Sequence, residues 1–210
     1  MKADKEQNKP EQEKPKKGNK LERQIIVMLI ILGLILVSFL AAYEIFKPKP
    51  YFKYYDFTVK AVRFGNSSLV FYLIPIPETN KNALLSNDPR KINVSVDVDG
   101  LLSGVKKVWI TMPPDLRSDA VAAGHELEVF TSRTGFDTSF GLTNSTTDVV
   151  PTITCENATQ DTRVFMLDVG NETKVYRKGY CIIVQGNNYK GLMEATDALI
   201  LDWLFRIAPI

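Results

Sequence analysis

The sequence predicts an α/β or α+β protein in which a single N-terminal transmembrane helix precedes one exported domain. That domain is expected to hold a mixed, largely antiparallel sheet with a C-terminal helix packed on it. Three observations predict this: an apolar run over residues 25–43, short branched and aromatic segments between turn residues, and an amphipathic run at the end. The pattern leaves α/β and α+β both open, because it does not determine the strand order.

The apolar run has nineteen consecutive residues without a formal charge, most of them Ile, Leu and Val. A helix rises 1.5 Å per residue, so a run of this length spans roughly the 30 Å hydrocarbon layer of a bilayer. A cleaved secretory signal fits less well, because its apolar part is usually about 7–15 residues long and a small-x-small site follows it. We therefore predict an uncleaved signal-anchor helix over residues 25–46; a buried helix of a soluble domain is the alternative.

The flanking residues predict the domain organisation and the orientation. Residues 1–24 hold eight Lys/Arg, five acidic residues and no aromatic residue, which is typical of a disordered tail. Residues 47–54 are predicted to be a Lys/Pro linker, and residues 55–210 an exported globular domain. The basic excess before the apolar run predicts a cytoplasmic N-terminus and an extracytoplasmic C-terminal domain at the plasma membrane.

Two further patterns favour export. Asn-x-Ser/Thr sequons, which accept N-linked glycans, occur only beyond the apolar run, at Asn66, Asn93, Asn144, Asn157 and Asn171. A chance excess in polar loops is the alternative. The two cysteines, Cys155 and Cys181, predict a disulfide worth about 3 kcal/mol for a loop of this length, with two buried free thiols as the alternative.

The first half of the domain is expected to begin with a β-hairpin and to continue through strands and short helical segments. The predicted hairpin strands are residues 55–64 and 69–74, with one helical turn over residues 82–86. Strict alternation of apolar and polar residues then predicts a strand over residues 91–99. A strand, a short helix ended by Gly124, and another strand follow, over residues 105–112, 116–123 and 125–131.

The second half is expected to begin with a long loop over residues 132–148, in which Phe136 and Phe140 could line a ligand pocket. Strands are predicted over residues 149–155, 163–169, 173–177 and 180–185, and a helix over about residues 189–207. Leu201 and Phe205 lie opposite the main apolar face of that helix. They predict either a helix covered on both sides or an interaction patch for a partner or lipid.

The candidate chemical motifs are weak, and we predict no catalytic residue, no metal site and no cofactor. Gly186-x-x-x-x-Gly191 follows a strand but lacks the Lys-Ser/Thr of a phosphate loop. Asp97 and Asp99 could hold a divalent metal, although the polar face of an alternating strand explains them equally well. His125 is the only histidine, so a serine–histidine–acid site would have to use it.

These observations favour a membrane-anchored cell-envelope protein whose extracytoplasmic domain acts by protein–protein contacts, as a scaffold or assembly subunit. The expected partners are the bilayer, through residues 25–46, and an envelope protein or a second copy. From residue 47 onward the chain carries 18 basic and 18 acidic residues, which argues against nucleic acid. The alternatives are a glycan- or solute-binding module and a membrane-anchored hydrolase or transferase that uses Asp97 or His125.

Overall fold

The computed structural model of the chain describes residues 20–46, 50–63, 65, 68–98, 104–116, 118–145 and 149–207. It divides into two compact units, Met1–Pro48 and Lys49–Ile210. The described part of the first unit is a single helix, α1, Lys20–Phe46. Its stretch Arg23–Tyr43 is long and apolar enough to cross a membrane, and none of the side chains in its apolar window is buried.

The second unit begins with a four-stranded antiparallel sheet whose strands follow one another in chain order. Its strands are β1 Tyr51–Tyr54, β2 Phe57–Arg63, β3 Val70–Pro75 and β4 Asn82–Leu85. The predicted hairpin is confirmed, since β2 and β3 pair with Val62 opposite Phe71. The predicted linker over residues 47–54 is wrong in its second half, because Tyr51–Tyr54 extends the hairpin as a third strand.

A six-stranded sheet follows, with the strand order β5-β9-β10-β8-β6-β7. Its strands are β5 Ser95–Asp97, β6 Lys107–Met112, β7 Asp137–Leu142, β8 Thr162–Val169, β9 Lys174–Lys178 and β10 Cys181–Gly186. Strands β10, β8, β6 and β7 are parallel, and β9 runs antiparallel to β10. The domain is therefore a mixed α+β structure with two sheets instead of one, and its larger sheet is mostly parallel.

Two helices form a layer between the sheets. Helix α2, Ser118–Arg133, connects the parallel strands β6 and β7, and the C-terminal helix α3, Tyr189–Ile207, follows β10 as predicted. The ring of Trp203 on α3 packs against Phe130 of α2 and Phe165 of β8, with centroids 4.9 and 6.1 Å apart. One continuous core joins both helices to the inner face of each sheet.

The prediction of a short helix, a stop at Gly124 and a strand over residues 125–131 is wrong. Helix α2 continues through Gly124 to Arg133. A Cβ atom at Gly124 would lie 2.9 Å from the side chain of Met112 and 3.3 Å from that of Leu167. The glycine therefore allows the helix to lie close to the sheet, a use that the sequence does not distinguish from a helix end.

Four other predicted elements differ from the structure. Strand β4, Asn82–Leu85, replaces the helical turn predicted over residues 82–86, and the predicted loop over residues 132–148 contains β7. In place of a strand over residues 149–155, Thr152 makes a single bridge to Leu142 before a short 3₁₀ helix. Of residues 91–98, which the structure describes, only Ser95–Asp97 pairs as a strand, and Lys91 belongs to the 3₁₀ helix Pro89–Lys91.

Candidate functional site: a buried carboxyl pair

The proposed Leu201 and Phe205 interaction patch is wrong, because the structure covers both side chains. Leu201 is only 5% exposed. The ring of Phe205 packs against Tyr54, Tyr55 and Phe57, with centroids 5.0–5.9 Å apart. Helix α3 is thus covered on both sides, which was the alternative prediction, and the four-stranded sheet supplies the second cover.

The two phenylalanines of the predicted ligand pocket lie on the helical side of the six-stranded sheet. Phe136 packs against Trp203, with ring centroids 5.5 Å apart. The ring edge of Phe140 lies 3.4 Å from where a Cβ atom of Gly124 would be. Both rings therefore contribute to the packing of helices on the sheet instead of lining a loop pocket.

The residues considered for catalysis are not brought together. Asp97 lies on β5 at one end of the six-stranded sheet, whereas α2, which carries His125, connects two strands near the other end. His125 is exposed, and its Nδ1 atom lies 3.0 Å from Glu128 Oε2 on the same helix. Asp99, the second predicted metal ligand, lies outside the described residues.

The loop between Gly186 and Gly191 is closed by its own residues. The Asn188 side chain accepts a hydrogen bond of 2.9 Å from the Gly191 N–H and so occupies the first turn of α3. A Cβ atom at Gly186 would lie 2.1 Å from the Leu192 nitrogen. Both glycines are thus required for packing, and the amide group that a bound anion would use is already capped by Asn188.

Two carboxyl groups that the sequence did not single out are enclosed in the helical layer. Glu126 of α2 is 5% exposed and Asp197 of α3 is fully buried. Asp197 accepts three hydrogen bonds from the loop after β4: the Ser86 N–H at 3.3 Å, and the Asn87 N–H and side-chain amide, both at 2.8 Å. The Ser86 hydroxyl lies 3.3 Å from Glu126. The pair therefore joins both helices to the four-stranded sheet.

The electrostatics of the pair follow from its burial. Removal from water raises the pKa of Glu126 to about 10, and the charge of neighbouring Asp197 acts in the same direction. Burial also raises the pKa of Asp197, to about 7, although hydrogen bonds from Asn87 oppose that shift. At neutral pH Glu126 therefore holds a proton and donates it in a hydrogen bond to Asp197. Because both carboxyl groups are buried, they can hold the loop after β4 but are not accessible to a substrate.

The residues after this loop continue the connection to the sheet. Asp88 caps the 3₁₀ helix and accepts hydrogen bonds of 2.9 and 2.6 Å from the Arg90 guanidinium, which lower the pKa of Asp88. The same guanidinium stacks over the ring of Phe52 at 3.9 Å. Five consecutive residues, 86–90, thus bind α2, α3 and β1 together.

Sequence reasoning missed this site for identifiable reasons. Glu126 lies in a segment predicted to be a strand, and helical periodicity puts Asp197 opposite the main apolar face of α3, where an acid is expected to be solvated. A usable signal was nevertheless present: Asp197 is a lone acid among Ala195, Thr196, Ala198 and Leu199, all of which are buried. A single acid within such a run is more typical of a buried hydrogen-bonded group than of a solvated one.

The predicted disulfide is present between Cys155 and Cys181. It attaches the 3₁₀ helix Cys155–Asn157 to the first residue of β10, on the face of the six-stranded sheet that points away from the helices. A second, smaller core lies under this segment and contains Ile153, Val164 and Ile183. The disulfide thus holds a covering segment over part of the outer face.

Four of the five predicted glycosylation sites can be located. Asn93, Asn144, Asn157 and Asn171 are exposed, whereas Asn66 lies outside the described residues. The oxygen of the Asn157 side chain accepts a hydrogen bond from the Thr154 N–H, which leaves its position well defined. Their modification remains a prediction.

Comparisons with known proteins provide little further information. No family model and no curated protein matches the sequence. Part of the chain is similar to a solved structure of a GH138 enzyme targeting pectin rhamnogalacturonan II, at 21% identity and a TM-score of 0.35. The match covers 49% of this chain and only 14% of that one. We therefore take neither fold nor function from it.

Proposed function

We propose that this chain is a membrane-anchored cell-envelope protein whose extracytoplasmic domain acts by protein–protein contacts. The observation that carries the proposal is α1. Its apolar stretch Arg23–Tyr43 is entirely unburied. An exposed apolar helix of this length fits a segment that is surrounded by lipid.

The side of the membrane is inferred from three features. A disulfide between Cys155 and Cys181 is stable in an oxidising compartment, outside the cytosol. Exposed sequons fit a domain that meets a glycosylation machinery. The basic excess before α1 favours a cytoplasmic N-terminus.

A role in assembly is supported by the end of the six-stranded sheet. Strand β7 is six residues long and forms one end of the strand order. Residues 151–153 pair with its outer edge at Leu142, and the part of the edge before Gly141 can accept a strand from another chain. Phe140 on this strand is partly exposed, and Val149, shortly after it in the chain, is almost fully exposed. Exposed apolar side chains of this kind are typical of a surface that takes part in an assembly.

The anchor is tested by alkaline carbonate extraction of membranes that contain the full chain. The unmodified protein should stay in the membrane pellet. Leu32→Arg, in the middle of α1, should increase the fraction of the chain that is extracted, because an arginine at the centre of a spanning helix costs about 3 kcal/mol. The matched control Leu32→Ile should stay in the pellet, and extraction of the unmodified chain would contradict the anchor.

The assembly role is tested by a photoreactive amino acid placed at Val149 in intact membranes. We expect adducts of one defined mass, formed with an envelope protein or with a second copy. The same group at Val121, an exposed position on α2, is the matched control. Equal and diffuse labelling from both positions would contradict the proposed edge contact.

A further inference from the structure

The outer face of the four-stranded sheet can be reconstructed from its strand register. Tyr51 of β1, Lys60 of β2, Leu73 of β3 and Leu84 of β4 lie opposite one another in a single row across the sheet. The neighbouring residues in each strand are buried and point to the core, namely Val59, Ile74, Ala83 and Leu85, with Phe52 partly buried. The row that starts at Tyr51 therefore points away from the helices.

This outer face is unusually apolar. An antiparallel sheet with one face on the core normally has polar residues on the other. Here Val62 and Phe71 form a second outward row beside Leu73 and Leu84, and all four side chains are only partly buried. Tyr51 is 53% exposed. None of the five belongs to either hydrophobic core of the described residues.

The charges on this face have one sign. Lys60 lies in the row with Tyr51, and its Nζ atom is 5.6 Å from the centre of that ring. Lys53 is exposed two residues further along β1 and lies opposite Thr58. Among the described residues in the outward rows, the charged ones are these two lysines. A surface of aliphatic, aromatic and basic side chains is complementary to an anionic lipid surface.

The short chain between α1 and β1 also favours the bilayer as the surface that this face contacts. Helix α1 ends at Phe46 and β1 begins at Tyr51, so only four residues separate them. Even a fully extended chain covers at most about 3.6 Å per residue, or about 18 Å over these five steps. If α1 spans the bilayer, a connection of this length keeps the first strand of this sheet near the bilayer surface.

We propose that the outer face of the four-stranded sheet lies on the surface of the bilayer and binds anionic lipid. Tyr51, Leu73 and Leu84 enter the boundary between headgroups and acyl chains, where aromatic and aliphatic groups are favoured. Lys53 and Lys60 contact the negatively charged headgroups. This inference rests on the proposed anchoring through α1, and it assigns to the domain a second, peripheral contact with the same membrane.

The test uses the full chain reconstituted in vesicles of phosphatidylcholine with phosphatidylglycerol. A nitroxide spin label is attached at Leu73→Cys, and Val121→Cys on α2 carries the control label. We expect the label at position 73 to be several-fold more accessible to oxygen than to a water-soluble nickel reagent, and the label at 121 to show the reverse. Lys53→Glu together with Lys60→Glu should return the label at 73 to water.

The outcomes distinguish this inference from the anchoring itself. If carbonate washing leaves the chain in the vesicles while positions 73 and 121 are equally accessible to water, the membrane contact is wrong and the anchor remains. If the chain is washed out, both are wrong. If labels at 73 show short distances between two chains that depend on the protein-to-lipid ratio, a second copy covers the face and the lipid proposal is overturned. A label at Leu84→Cys repeats the test should the Leu73 variant fail to fold.

Discussion

The two sheets of the domain both have apolar side chains on their outer faces, and among the described residues a covering segment lies only on the six-stranded sheet. On the six-stranded sheet, Val164 and Ile183 are buried beneath the segment that the disulfide holds in place. On the four-stranded sheet, Leu73 and Leu84 face outward and stay partly exposed. The first face is thus partly covered by the chain itself, and we infer that the second is covered by the membrane.

The helical layer between the sheets shows how they are joined. On the side of the six-stranded sheet the contact is apolar, through Trp203 and Phe165. On the side of the four-stranded sheet, apolar packing is supplemented by the Glu126–Asp197 pair and the loop that starts at Ser86. A polar contact of this kind fixes the relative position of the elements that it joins, because all of its hydrogen bonds form only in that one arrangement.

The largest expected effect is on that polar contact. Asp197→Ala removes the acceptor of three hydrogen bonds, so the Asn87 donors and the Glu126 carboxyl lose their partner. We expect a loss of about 3–5 kcal/mol in the free energy of unfolding, measured by denaturant titration of the full chain in detergent.

The matched control is Asp202→Ala on the same helix, which removes a partly exposed ion pair with Arg206. It should cost less than about 1 kcal/mol. Equal losses for the two variants would show that the buried pair has no special role in joining the sheets.

The second effect concerns the covering segment. Replacing Cys155 and Cys181 together by Ala should lower the free energy of unfolding by about 3 kcal/mol, because a loop with a sequence separation of 26 residues is no longer closed. Proteolysis should then cut the covering segment first. A double variant as stable as the unmodified chain would mean that the cover does not depend on the disulfide.

The third effect is a pH dependence of stability with an unusual sign. The pKa of Glu126 is raised to about 10 in the folded state, whereas an unfolded glutamate titrates near its ordinary value. Between these values the folded state binds more protons than the unfolded state, so stability is highest at acid pH and falls as the pH rises. We expect a loss on the order of 2 kcal/mol between pH 7 and pH 9, measured by urea unfolding.

Glu126→Gln provides the matched control for this slope. Its amide can still donate a hydrogen bond to Asp197 but does not titrate, so the variant should keep most of its stability between pH 7 and pH 9. If it shows the same slope as the unmodified chain, the dependence arises elsewhere. The remaining dependence below pH 7 would report Asp197, whose pKa is raised to about 7.

The smallest effect is expected on the uncovered face. Leu73→Ser should change the free energy of unfolding in detergent by about 1 kcal/mol or less, because a partly exposed side chain outside the core loses little. The equivalent change under the disulfide, Ile183→Ser, should cost several times more, since Ile183 is buried. Similar losses of unfolding free energy at positions 73 and 183 would contradict the proposed difference in cover between the two outer faces.

Sequence periodicity predicted the elements in which apolar side chains recur regularly, every second residue in a strand or every three to four residues in a helix. The hairpin of β2 and β3, strands β8 to β10 and helix α3 are confirmed within one or two residues at most boundaries. Helix α2 was missed, because Gly124 is a contact residue inside it instead of its end. Local pattern does not distinguish these two uses of glycine.

The candidate site could not be predicted for a related reason. Glu126 and Asp197 are 71 residues apart in the chain and meet only because both helices pack on the same sheet. Likewise the outward row from Tyr51 to Leu84 depends on the register of four strands. Strand order and register are tertiary properties, and a single sequence specifies them only through packing.

The proposed function depends most directly on the position of the folded domain relative to the membrane. A protease-sensitive tag fused after Ile210 in whole cells measures this in one experiment. We predict that external protease removes the tag from intact cells, while a tag ahead of Lys20 is cut only after lysis. Protection of the C-terminal tag in intact cells, with cleavage after lysis, would contradict the proposed export of the domain.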